Sequence, residues 1–258
     1  MVAKLLPLFP EHKIYVEPFG GGASLLFAKE PSEVEVYNDL DEGLVNLFRV
    51  LREPRKFKRF LHRCIFTPYA RQEWRMSRTT WKDCRDEVER AYRWFVMTRM
   101  SFAGLQHSWG RTITTSHRGM AESASSWLSI IEMLPDIHRR LMRVQIECKD
   151  AKSIIKDYDT PETLFYCDPP YIPETRRDGR YQHEMSMDDH QELVDLLLTV
   201  QGKVILSGYA HPVYEPLEKA GWERKNWETF CVVSGRTRAS KKEPKEQHRR
   251  VESVWIKH

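Results

Sequence analysis

No apolar run in this chain approaches the length needed to cross a bilayer; the longest candidate, 193–200, is broken by Asp195. Cysteine is sparse and scattered. The five residues, Cys64, Cys84, Cys148, Cys167 and Cys231, form no CxxC pair, so they read as reduced thiols rather than a disulfide frame or a zinc site. The opening MVAKLLPLFPEHK is too short and too proline-broken for a secretory signal, which sets the expectation of a cytoplasmic protein. There is no internal repeat and no long low-complexity tract. The one Gly-rich turn lacks a following Lys-Ser/Thr, which argues against a phosphate-cradling P-loop.

What is present is an uneven distribution of charge. The 258 residues carry a net charge of only +4. Residues 49–143 nevertheless hold 20 Lys/Arg against 9 Asp/Glu, and residues 236–250 hold 7 against 2. The remainder is acidic, with 14 against 26. Two basic segments on an acidic body point to a polyanion partner rather than to ordinary solvated faces.

The hydrophobic pattern divides the chain in the same places. Ile14-Tyr15-Val16 reads as a strand ending in the turn Phe19-Gly20-Gly21-Gly22, followed by a helical stretch to Lys29. Residues 34–37 read as a second strand, with Asn38-Asp39 as a helix N-cap pair and Leu40, Leu44, Leu47, Phe48 and Leu51 on one helical face. From about Pro54 to Met142 helical periodicity dominates, interrupted by a Gly-, Ser- and Thr-rich stretch at 101–126. Strand-helix alternation then resumes: strands at 144–147, 163–167 and 204–207, helices at 150–156 and 188–200. A closing hairpin, 222–233 with 251–256, is joined by a basic loop at 234–250. The pattern predicts one α/β domain with a mostly parallel sheet, interrupted by a mainly helical insertion at 55–143.

Asp168-Pro169-Pro170-Tyr171 follows the apolar strand Leu164-Phe165-Tyr166-Cys167 directly, at the strand end where open parallel sheets place their ligands. An exocyclic amine on a base is a poor nucleophile because its lone pair delocalises into the ring. A carboxylate and a carbonyl accepting its two N–H bonds would localise that pair. Asp168 and the Pro169 carbonyl supply the acceptors, and Tyr171 supplies a face for a planar base. The turn Glu17-Pro18-Phe19-Gly20-Gly21-Gly22-Ala23-Ser24 suits close approach of backbone to a ligand. Asp39, about 20 residues beyond the glycines, is placed to accept both hydroxyls of a ribose, in competition with a plain N-cap role. Asp150 has the same two readings, a bond from an adenine amino group or an N-cap.

Taken together and in this order, these segments resemble the Dam-like class of DNA adenine N6-methyltransferases over nearly the whole chain, to the closing strand Val251-Glu252-Ser253-Val254-Trp255-Ile256. The resemblance implies a Rossmann-like S-adenosylmethionine-dependent methyltransferase fold with an inserted, mainly helical target-recognition domain. It implies a cofactor-binding part at 1–54, recognition at 55–143 and a catalytic part at 144–258. Glu17, Phe19, Gly20, Gly22, Asp39, Asp150 and Asp168 would bind S-adenosylmethionine, and Asp168, Pro169, Pro170 and Tyr171 would hold a flipped adenine of double-stranded DNA. Within the insertion, Arg99, Phe102, Trp109 and Arg111 are DNA-contact candidates. The charge count adds Lys241, Lys242 and Lys245 as phosphate contacts. A cognate restriction nuclease is a further partner of the kind such enzymes have.

Members of the class carry a Trp-x-Gly-Gly-Lys segment before the first strand, and the 13 residues before Ile14 hold none. Weaker cofactor binding is therefore expected unless other residues close the pocket. Two rival functions remain: methylation of cytosine N4 or an RNA base on the same fold, and a degenerate, non-catalytic DNA-binding protein. No metal is expected, because the spacing of His183, Asp188, Asp189 and His190 matches no familiar site and helix capping accounts for the aspartates. Trp94 and Trp127 read as core, and Cys167 as packing.

Overall fold

The computed structural model describes residues 1–114, 118–175, 183–230 and 249–258. The chain divides into two compact units, Met1–Leu40 with Glu147–His258, and Asp41–Ile146.

The first unit is mixed α/β. The sheet has the strands β1 (Ile14–Glu17), β2 (Val34–Asn38), β3 (Val144–Glu147), β4 (Thr163–Cys167), β5 (Lys203–Tyr209), β6 (Glu223–Phe230) and β7 (Arg249–Lys257), all within this unit except the first three residues of β3. Their order across the sheet is β3-β2-β1-β4-β5-β7-β6. Pairing is parallel from β2 through β1 and β4 to β5, and antiparallel where β7 pairs with β5 and with β6. β4 lies between two parallel neighbours and all five of its residues are buried, which is why its sequence, TLFYC, is a continuous run without alternation. Phe165, Cys167, Leu206 and Trp255 meet in the core with Leu193 and Leu197 of a covering helix, Met187–Thr199. Burying each such side chain contributes roughly 1.5–3 kcal/mol. The expected closing hairpin forms, but Arg249 and Arg250 belong to β7 rather than to the loop.

β1 is flanked by β2 on one side and β4 on the other, so chain order reverses there. Connections leaving opposite ways open a crevice at the carboxyl ends of these strands. Glu17 and Asn38 end β1 and β2, and Asp168 follows β4.

The second unit is helical. Numbered from the short N-terminal α1 (Val2–Leu5) and from α2 (Ser24–Ala28) of the first unit, its helices are α3 (Glu42–Arg52), α4 (Pro54–Ile65), α5 (Arg71–Thr80), α6 (Glu87–Arg99) and α7 (Glu122–Leu141). The cap of α3 is Asp41, whose Oδ1 accepts from the amides of Gly43 (2.8 Å) and Leu44 (3.2 Å), and not the expected Asn38-Asp39 pair. The helix thus starts later than expected, and Leu40, expected on its buried face, is 43% exposed. By compactness α3 sorts with the helices that follow, because its apolar face packs on α6 and α7. Trp94 and Trp127 are core residues, and the indole N–H of Trp127 donates to the Thr67 carbonyl at 2.9 Å.

Among the described residues no helix is long and apolar enough to cross a membrane. Cys64, Cys84, Cys148 and Cys167 form no disulfide among the described residues, and Cys64 and Cys167 are buried. Cys231 lies outside the described residues.

Candidate active site

The Gly-rich turn is anchored by the end of β2. The Gly20 amide donates to the Asn38 carbonyl at 2.8 Å, and the Tyr37 hydroxyl donates to the Gly21 carbonyl at 2.9 Å. A Cβ on Gly20 would lie 2.2 Å from the Tyr37 ring, so only glycine lets the turn press against β2. Gly21 has φ +47° and Gly22 has open space around it, with Ser24 Oγ the nearest atom at 3.9 Å. Phe19 is partly buried against the core.

Glu17, at the head of this turn, is only 2% exposed. Its Oε1 accepts from the Tyr15 hydroxyl (2.8 Å) and from the Leu26 amide (2.9 Å). That amide is one of the orphan donors in the first turn of α2, whose own cap position, Ala23, has φ 52° and makes no side-chain cap. Glu17 thus ties strand, turn and helix together from beneath. Burial pushes its carboxyl up to about 7, against the lowering pull of the two hydrogen bonds.

Asp39 Oδ2 accepts the Gly21 amide at 2.8 Å, and the capping role that competed for this carboxylate belongs to Asp41. Asn38, fully buried, links three segments through its amide group. Its Nδ2 donates to the carbonyls of Pro18 (2.8 Å) and Lys149 (3.0 Å), and its Oδ1 accepts the Lys149 amide (2.9 Å). Asp150 caps the helix α8 (Ala151–Asp157), its Oδ1 accepting from Lys152 (3.0 Å) and Ser153 (3.2 Å).

Asp168 is solvent-exposed at the crevice, with Pro169 buried and Pro170 and Tyr171 half-buried. Crowding by surrounding protein and the charge of Glu252 push the Asp168 carboxyl up to about 6, while the Tyr171 and Tyr166 hydroxyls pull it down. The Pro169 carbonyl accepts no hydrogen bond among the described residues. Tyr171 is held at both ends: its hydroxyl donates to Glu252 Oε1 at 2.7 Å, and its ring meets that of Tyr209 edge-on, centroids 4.8 Å apart at 75°. The sequence reading missed Glu252, Tyr209 and the role of Asn38.

In the helical unit, Arg99 and Arg111 are exposed and make no ion pair among the described residues, and Phe102 is half-buried. Trp109 is half-buried. Its ring packs on Tyr69 (5.6 Å between centroids) under the Arg71 guanidinium (4.7 Å), and its indole nitrogen is buried. The loop it braces is stapled at the base by Trp74 Nε1 donating to Ser101 Oγ (2.8 Å), Gly110 N donating to Met100 O (2.8 Å) and the Tyr69 hydroxyl donating to Gly110 O. Lys241, Lys242 and Lys245 lie outside the described residues.

Asp189 pairs with Ser186 in a reciprocal cap at the start of the helix Met187–Thr199, and His190 is buried beside the Tyr214 hydroxyl (3.1 Å). Among the described residues no three His, Cys, Asp or Glu side chains gather as a metal-binding group.

The family model described as D12 class N6 adenine-specific DNA methyltransferase matches residues 1–229. No curated protein matches the chain.

Proposed function

Because the chain belongs to the D12 class N6 adenine-specific DNA methyltransferases, we propose how its residues divide the work of moving a methyl group from S-adenosylmethionine to N6 of adenine in DNA. The observation that carries the reading is that the Gly-rich turn after β1 and the Asp168–Tyr171 segment after β4 stand at the carboxyl ends of adjacent strands.

The residues at the turn suit the methyl donor. Open space at Gly22 admits a ligand to the backbone, the Asp39 carboxylate suits vicinal hydroxyls, and exposed Leu40 offers an apolar face beside it. Asp150 has a second carboxylate oxygen to offer an amino group beyond the one that caps α8. Glu17 acts from below, holding the turn in shape. When bound, S-adenosylmethionine supplies an electrophilic methyl on a sulfonium, so no covalent enzyme intermediate is needed.

On the acceptor side, the Asp168 carboxylate and the Pro169 carbonyl accept the two N–H bonds of the amine, turning its lone pair out of the ring towards the methyl. The proton released on transfer passes first to Asp168 Oδ. Tyr171 stacks on the base, which must leave the duplex to reach this crevice. Positioning and electrostatics supply most of the acceleration.

DNA recognition we assign to residues 55–143, with exposed Arg99 and Arg111, which have no ionic partner among the described residues, reading or gripping the duplex and Trp109 bracing the loop between them. Incubating the protein with DNA and methyl donor, then digesting to nucleosides for mass spectrometry, tests the reading. N6-methyladenine is expected; N4-methylcytosine, or no product from folded protein, overturns it.

A further inference from the structure

Glu252 lies on β7, far in sequence from the turn after β1 and from the tetrapeptide after β4, yet it holds the hydroxyl of Tyr171 at 2.7 Å. Its backbone is fixed on both sides by antiparallel pairing, opposite Tyr209 of β5 and opposite Trp227 of β6. Tyr209 in turn supplies the edge-on contact to the Tyr171 ring. Two contacts thus hold the ring, one at the hydroxyl and one at the ring face or edge, and both come from the same cross-strand pair. We propose that Glu252 is a positioning residue that presets Tyr171 as the stacking face for the target base.

The proposal rests on the assignment of Tyr171 to the target base.

A double-mutant cycle on the full chain tests it, read by kcat and KM for DNA and by fluorescence of 2-aminopurine at the target position. Glu252→Ala should lower kcat by about tenfold with a smaller change in KM, as expected for a lost group that orders the reacting site. It should also brighten the aminopurine complex, because a poorly held ring stacks less. Glu252→Gln keeps an acceptor and should recover most of the loss. Tyr171→Phe severs the same bond from the other side, also if Glu252→Ala does not fold, and should show the same brightening. The double variant should be no worse than the poorer single. Additive losses, or wild-type kcat and fluorescence in Glu252→Ala, overturn the proposal. Tyr171→Ala separates the two levels: wild-type kinetics there would remove Tyr171 from the base and the underlying assignment with it.

Discussion

Acids at the strand ends of the α/β unit are held by named donors: Glu17 by Tyr15 and Leu26, Asp39 by Gly21, Asp150 by two amides of α8. In the helical unit the acids are used up differently. Asp86 pairs with Arg59, Glu87 with Lys56, Glu89 with Arg63 and Arg93, and Glu132 with Arg118, while Arg99 and Arg111 keep no ionic partner among the described residues. Exposed pairs of this kind add little stability, about 0–1 kcal/mol each. Their effect is to leave Arg99 and Arg111 uncompensated among the described residues. One unit fixes its charges in place before any ligand arrives; the other leaves charge for a polyanion to neutralise. The division accords with the roles proposed above, chemistry in the first and DNA binding in the second.

The sharpest break in that contrast is Asp168→Ala. Removing the acceptor aimed at the amine should cost at least about a thousandfold in single-turnover rate, roughly 4 kcal/mol, with the fold intact. Asp168→Asn should retain more activity than Ala. In the wild type the rate should fall as pH drops through about 6, because protonation removes the same acceptor.

Next in size is a stability effect at Glu17. Its folded pKa is raised from 4.5 to about 7, so between those values the folded protein keeps a proton that the unfolded chain has released. Stability should therefore fall as pH rises from 4.5 to 7, by a few kcal/mol in all. Melting curves of wild type and Glu17→Gln across that window check this, and the variant should lose the slope. Asp39→Ala should weaken methyl-donor binding by about 1.5–3 kcal/mol in calorimetry, with Asp39→Asn less affected because an amide oxygen still accepts from Gly21.

Smallest is Arg111→Ala in the helical unit. If it reads a base, the variant should lose about 1–3 kcal/mol on the preferred sequence only. If it grips a phosphate, it should weaken every sequence alike and flatten the log K against log salt slope by about one unit. Either result keeps the unit on DNA, and an unchanged titration would take Arg111 off it.

Much of this was legible before any coordinates. The strands declare themselves as short apolar runs ending in turn residues, and Asp168 is conspicuous because prolines follow a buried strand. Less visible were roles set by register and distance. Glu252 is an ordinary polar residue of a closing strand until β7 pairs between β5 and β6, and Asn38 looks like a cap until it meets Lys149, 111 positions away. Leu40 was misplaced because a capping Asp at 41 left it outside its helix, and the contacts of Trp109 with Tyr69 and Arg71 could not be read from its loop sequence.

The measurement that bears on both units at once is sequencing, with a method that detects N6-methyladenine, of DNA from cells expressing wild type, Asp168→Ala or Arg111→Ala. The account predicts methylated adenine in a defined sequence context for wild type, none for Asp168→Ala, and weakened or broadened marking for Arg111→Ala. Marks on cytosine, or undiminished adenine marking by Asp168→Ala, would contradict it.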